Sequence, residues 1–263
     1  MGDLTTIVQG SAEWFAARIG HLTSSRIADA VRKRKRKGVL GHSVEDDLQC
    51  RIDLRLELAV ERVTQKISEH YVSRWMERGL EMEPAARFAY EQRTDTETEQ
   101  VGFVLHPDIQ WAGCSPDGLV GADGLVEFKC PKSNTHAGYL LAECVPEAYV
   151  PQMMWQMACT GRRFNDFVSY CPDFPEPLDL FVCRLERDDA KIAEMEAEAR
   201  RFLDEVEAVT LQLKNGLECV LAHSLERVRG IGQNGENTPP GPRLCEESMS
   251  RPPKAVIPAL DEG

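Results

Sequence analysis

The chain has 263 residues, 42% of them hydrophobic, and no apolar run nears the roughly 18 residues of a membrane helix, so a soluble globular protein without a membrane partner is expected. The formal net charge of −12 argues against indiscriminate DNA binding by the whole surface, though not against a local basic channel. Nine scattered cysteines without a CxxC pair exclude a zinc ribbon, a thioredoxin site and an ordinary iron–sulfur cluster, and with the leaderless start MGDLTTIVQG they predict reduced thiols in a cytoplasmic protein.

Ser11 caps a short helix carrying Trp14, Phe15 and Arg18, and Gly20 ends it. Thr23 or Ser24 caps a second helix over 24–31. The unbroken cationic run Arg32–Lys37, with Gly38 and Gly41, reads as a loop that either contacts nucleic-acid backbone or is simply solvated. Ser43 opens a long helix to about Gln65, with Leu48, Ile52, Leu56, Ala59 and Val63 as its apolar stripe. A further helix over about 68–92 is expected to be interrupted near Gly79 and Pro84.

Strands follow at 100–105, 111–114, 117–121 and 124–130, then helices at about 134–142 and 147–160 and strands at Phe164–Cys171 and Leu178–Arg184. Residues 188–214 form an acidic helix with Ile192, Met195, Ala199, Phe202 and Val206 on one side. From about 222 the Pro, Gly, Asn and Ser content predicts a disordered tail to 263. The fold class is α/β (α+β), with a central mixed β-sheet flanked by helices.

Asp117 and Glu127 have nine residues between them, among them Gly121-Ala122-Asp123-Gly124, a hairpin signal. In a strand, Glu127 and Lys129 share a face and Phe128 points the other way. Two carboxylates, a backbone carbonyl at Phe128 and an ammonium suit Mg²⁺ and hydrolysis of a phosphodiester. The same residues also fit an ordinary charged surface hairpin. Glu83, on the preceding helix, is either a third carboxylate for that site or part of a solvated face. Trp14, Arg18, Thr23 and Ser25 make either an anion pocket for phosphate or a capped helix with an exposed arginine. Gln152 and Gln156 lie on one helix face, where one of them can reach the metal-bound water or the phosphate.

Four segments, in order, carry a resemblance: Trp14-x-x-x-Arg18-x-Gly20-x-x-Thr23-x-Ser25; Gly79-x-x-x-Glu83-x-x-Ala86; Cys114-Ser115-Pro116-Asp117-Gly118-Leu119 with Leu125-Val126-Glu127-Phe128-Lys129; and Tyr149-x-x-Gln152-x-x-x-Gln156. Over about residues 8–210 the chain resembles the phage lambda exonuclease-type, YqaJ-like viral recombinases of the PD-(D/E)xK nuclease superfamily. The resemblance implies a restriction-endonuclease-like core at about 75–185, within an exonuclease domain over 1–221. It implies a 5′→3′ exonuclease using Mg²⁺, with Mn²⁺ as a substitute, acting on double-stranded DNA ends. Asp117, Glu127 and the Phe128 carbonyl would hold metal, with Glu83 assisting. Lys129 and Gln152 would position water, and Arg18, Ser25 and Thr23 would bind the 5′-phosphate. The resemblance further implies a homo-oligomer, a ring-shaped trimer, and a single-strand annealing protein as partner in the cytoplasm of a bacterial host. An endonuclease or junction resolvase of the same superfamily, or a DNA-end-binding module without catalysis, is the rival reading.

Overall fold

The computed structural model describes residues 6–37, 43–67 and 74–231. By its contacts the chain divides into Met1–Leu217 and Glu218–Gly263. Every sheet and all but the end of the last helix belong to the first unit.

The Ser11-capped helix forms as expected, whereas the helix expected over 24–31 begins as a 3-10 turn and Thr23 gives it no side-chain cap. Helix α1 (Ala12–Arg18) is capped by the Ser11 hydroxyl, which accepts from Trp14 N–H at 3.2 Å. Gly20 follows at φ +68°, and a Cβ there would come within 2.5 Å of the Arg62 side chain. Strand β1 (Leu22–Thr23), a 3-10 turn (Ser24–Arg26) and α2 (Ile27–Val31) come next.

The cationic run departs from its predicted loop. It forms β2 (Lys33–Lys37), antiparallel to β3 (Ser43–Asp47), in a register that sets Lys33 opposite Asp47, Arg34 opposite Asp46 and Lys35 opposite Glu45. The next helix, α3, therefore starts at Gln49 rather than Ser43 and runs to Thr64. Its buried side is also different. Ala59 of the expected stripe is buried, but it faces the core with Leu54, Leu58, Arg51 and Arg62, whereas Ile52 and Leu56 are exposed. The buried arginines are matched by the acidic helix α7 (Asp189–Ile231). Arg51 bonds Glu205 at 2.6 Å, Arg55 bonds the same carboxylate at 2.8 Å, and Arg62 bonds Glu207 at 3.2 Å.

Helix α4 (Arg74–Thr94) passes through Gly79 and Pro84 without a break. Proline forfeits one helical hydrogen bond, and Ala86 and Tyr90 beyond it are pinned in the core. Residues 68–73 of the predicted helix lie outside the described residues.

Strands β4 (Thr98–Glu99), β7 (Gly118–Val120), β8 (Gly124–Lys129), β9 (Phe164–Tyr170) and β10 (Leu180–Glu186) form a mixed sheet in the order β10-β9-β8-β7-β4, parallel only between β8 and β9. A smaller sheet joins β5 (Val104–Leu105) and β1 to β6 (Ala112–Cys114). Parallel β8 and β9 are linked, as they must be, by a helical crossover through α5 (Ser133–Ala142) and α6 (Val150–Thr160).

The central strand β8 is buried on both faces. Val126 and Phe128 pack with Ala86 and Tyr90 of α4, while Leu125 packs with Met154, Trp155 and Met157 of α6. Helix α7 adds Ile192, Met195, Ala199, Phe202 and Val206, the predicted stripe, to the second of these clusters. It continues to Ile231, past the residue-222 boundary at which a tail was expected; 232–263 lie outside the described residues. Among the described residues no helix is long and apolar enough to cross a membrane.

Candidate active site

The β7–β8 hairpin brings Asp117 and Glu127 into one electrostatic unit. Gly118 pairs with Val126, so Asp117 sits just outside the ladder, where its Oδ2 accepts the Phe128 N–H at 2.7 Å. Burial pushes the Asp117 carboxyl well above the usual carboxylate range, and the charges of Glu127 and Glu83 push the same way.

Glu127 and Lys129 share a face, as strand alternation predicted; that face turns to α6, and Phe128 turns to α4. Glu127 is only 1% exposed. A buried carboxylate needs donors, and three converge on this one. The Lys129 ammonium and Gln152 Nε2 (2.5 Å) share Oε1, and Gln156 Nε2 reaches Oε2 at 2.6 Å. Gln156 is itself fixed by Asn165 Nδ2, 2.7 Å from its carbonyl oxygen. Burial alone would lower the Lys129 pKa, but Glu127 and Asp117 outweigh it and hold the ammonium charged. The Lys129 ammonium also lies 5.2 Å from the centre of the Tyr149 ring.

Glu83 reaches this centre from α4 and is held by Arg87, whose Nη2 is 3.1 Å from Glu83 Oε1 and 2.7 Å from the Asp117 carbonyl. Phe128 meets Asp117 through its backbone N–H.

The donor set fits a hard divalent cation. Among the described residues, Asp117 Oδ1, Glu83 Oε2 and one lone pair of Glu127 Oε2 carry no hydrogen-bond partner. No three of the His, Cys, Asp and Glu side chains described are gathered closely enough to cage an ion unaided. Mg²⁺ does not require such a cage, because it keeps several waters and takes one or two carboxylates.

The residues expected to bind phosphate make contacts of two kinds. The Trp14 indole N–H donates to Ser115 Oγ at 2.9 Å, docking α1 on the loop that carries Asp117. Gln9 Nε2 reinforces this by bonding the Pro116 carbonyl at 2.8 Å. Arg18 stacks on Trp14 at 3.9 Å, and burial lowers its pKa to about 10, still charged at neutral pH. Thr23 and Ser25 hydroxyls lie 3.2 Å apart, and β1 runs beside β6 with Thr23 opposite Gly113. Reading the sequence missed Arg87 and Asn165. The Glu83–Arg87 spacing of one helical turn was the available signal for the first; nothing local marked the second.

A family model describing the YqaJ-like viral recombinase domain matches residues 13–163, which contain the acidic centre, its glutamines and the arginine pocket. The chain belongs to the YqaJ-like viral recombinase family. Among solved structures it is similar to the alkaline exonuclease LHK-Exo from Laribacter hongkongensis. The two are 40% identical with a TM-score of 0.71, over 80% of this chain and 100% of that one. The same values hold for LHK-Exo in complex with dAMP. A phage-related exonuclease from Haemophilus somnus 129PT shares the fold at 11% identity and a TM-score of 0.55, over 75% and 96% of the two chains. No curated protein matches the chain.

Proposed function

We propose that this YqaJ-family nuclease is a Mg²⁺-dependent exonuclease that enters duplex DNA at an end and digests one strand 5′→3′. The product is a 3′ single-stranded overhang, handed to a single-strand annealing protein for recombination. The observation that carries the reading is the Trp14–Ser115 hydrogen bond, which sets the Arg18 helix against the loop of Asp117. A terminal phosphate held by Arg18, Ser25 and Thr23 would then lie beside the acidic centre rather than across the protein from it.

Asp117, Glu127 and the Phe128 carbonyl would hold Mg²⁺ (or Mn²⁺) with help from Glu83. Bound there, the cation would supply charge neutralisation at the phosphate and a more acidic water. Lys129 stands ready as a charged donor to the phosphoryl oxygens, and Gln152 orients the same carboxylate edge. The relative LHK-Exo binds a mononucleotide, dAMP, which is the size of product such a site would release.

Residues 1–221 form the exonuclease domain in this reading, and the protein works in the host cytoplasm as a ring-shaped trimer. The test compares digestion of linear duplex DNA bearing 5′-phosphoryl or 5′-hydroxyl ends, with Mg²⁺ present and with Mg²⁺ chelated. Faster digestion of the phosphorylated end, abolished by Glu127→Ala, is expected. Equal rates on both ends would defeat the end-recognition reading, and cutting of closed circular DNA would favour an endonuclease.

A further inference from the structure

Arg87 joins two of the acidic segments. Its Nη2 bridges Glu83 Oε1 (3.1 Å) and the Asp117 backbone carbonyl (2.7 Å), while Nη1 donates to Thr98 Oγ1 at 2.8 Å. Thr98 in turn bonds Glu91 Oε1 at 2.5 Å, one turn further along α4. The guanidinium lies 5.1 Å from the centre of the Phe128 ring, and the side chain is only 14% exposed. Gly118 leaves room for it, since a Cβ there would stand 3.0 Å from Nη1.

A planar guanidinium with a rigid set of donors can hold several oxygens at once, which a lysine ammonium on a flexible stem cannot reproduce. Here it fastens α4, β4 and the loop before β7 to one another. It also places a positive charge against Glu83, in a centre where, among the described residues, the ammonium is that of Lys129.

We infer that Arg87 is a positioning residue of the acidic centre: its fork fixes Glu83 relative to Asp117, and its charge restrains the centre's affinity for divalent cations. This rests on the reading of that centre as a nuclease metal site. The two roles are separable. The charge acts on cation affinity, whereas the fork acts on turnover.

The experiment measures Mn²⁺ binding to the DNA-free protein by calorimetry, together with kcat and KM on linear duplex DNA, for Arg87→Gln, Arg87→Lys and Glu127→Ala. Arg87→Gln should bind Mn²⁺ several-fold more tightly, with kcat about tenfold lower and KM little changed. Arg87→Lys, keeping the charge but losing the fork, should bind Mn²⁺ like the wild type yet share the loss in kcat. If Glu127→Ala is inactive while Arg87→Gln keeps wild-type Mn²⁺ affinity and kcat, the role assigned to Arg87 is wrong and the site stands. If Glu127→Ala stays active, the site itself is misread. A kcat loss in Arg87→Gln with a lowered thermal midpoint but unaltered Mn²⁺ affinity makes Arg87 merely structural. Should Arg87→Gln not fold, Arg87→Lys decides: lowered kcat at unchanged affinity supports the role, and wild-type kcat overturns it.

Discussion

Gln156 donates its carboxamide to Glu127 Oε2 at 2.6 Å, and both residues are sealed from solvent at 0% and 1% exposure. Removing that donor leaves the buried Oε2 without its hydrogen bond, while Oε1 keeps Lys129 and Gln152, at a cost of about 1–3 kcal/mol. Gln156→Met should therefore lower the urea midpoint by an amount in that range and reduce kcat on duplex DNA at least tenfold. Gln156→Glu, which sets carboxylate against carboxylate, should be worse on both measures. A Met variant with wild-type kcat would show that Glu127 needs no help from Gln156.

Trp14 has two duties that one pair of substitutions separates. Trp14→Phe keeps an aromatic face under Arg18 but loses the indole N–H that bonds Ser115. Trp14→Ala loses both. The Phe variant should cost about 0.5–1.5 kcal/mol of stability and keep part of the proposed preference for 5′-phosphoryl ends. The Ala variant should lose that preference. Competition between the two end types in a single digestion reads the difference directly.

Asp166 is buried at 2% exposure and takes Tyr90 Oη at 2.8 Å and Arg184 at 2.8 and 2.9 Å. Burial and the adjacent carboxylate push the Tyr90 phenol above its ordinary range, so it stays a donor at all ordinary pH. Tyr90→Phe is expected to destabilise the fold by about 1–3 kcal/mol while leaving Mn²⁺ affinity untouched. Chemical denaturation and calorimetry of the same preparation test both halves.

Stability should fall with acid through the histidines. His106 is fully buried, its Nδ1 accepts the backbone N–H groups of Asp108 and Ile109, and its ring packs on Trp155. Burial lowers its pKa, and the pull of Glu196 in the opposite sense does not prevail against burial and Arg200. His21 is lowered as well, again chiefly by burial. The native state thus holds these rings neutral while the unfolded chain protonates them near pH 6.5. Their stabilising contribution is complete above that pH and is lost as pH falls toward the lower native pKa. His106→Gln should flatten the decline of the denaturation midpoint between pH 7.5 and 5.5. An equal slope in variant and wild type would discount His106.

The hairpin of Asp117 and Glu127 could be read directly because every determinant is local: an Asp-Gly turn, β-prone flanks and a two-residue period. The α6 glutamines were legible as a shared face, but only the parallel pairing of β8 with β9 shows that both point at Glu127. The face of α3 was misread because Arg51 and Arg62 are buried there against carboxylates more than 140 positions away in the chain. A hydrophobic stripe cannot reveal an arginine neutralised at that distance. The basic ribbon failed for a related reason, since its matching acids lie on a second strand that reads equally well as the start of a helix. Arg87 escaped notice because two of its oxygen partners, Thr98 and Asp117, come from other elements.

The donors around Glu127 also bear on when the protein can become active. During synthesis the β7–β8 hairpin emerges well before α6, at about 5–20 residues per second. Until Gln152 and Gln156 have emerged and docked, Glu127 lacks two of its three donors. If Glu127 serves the proposed metal site, a ribosome-bound chain ending before Val150 carries its acidic residues without the frame that aims them, and cleavage competence would wait until α6 has been made.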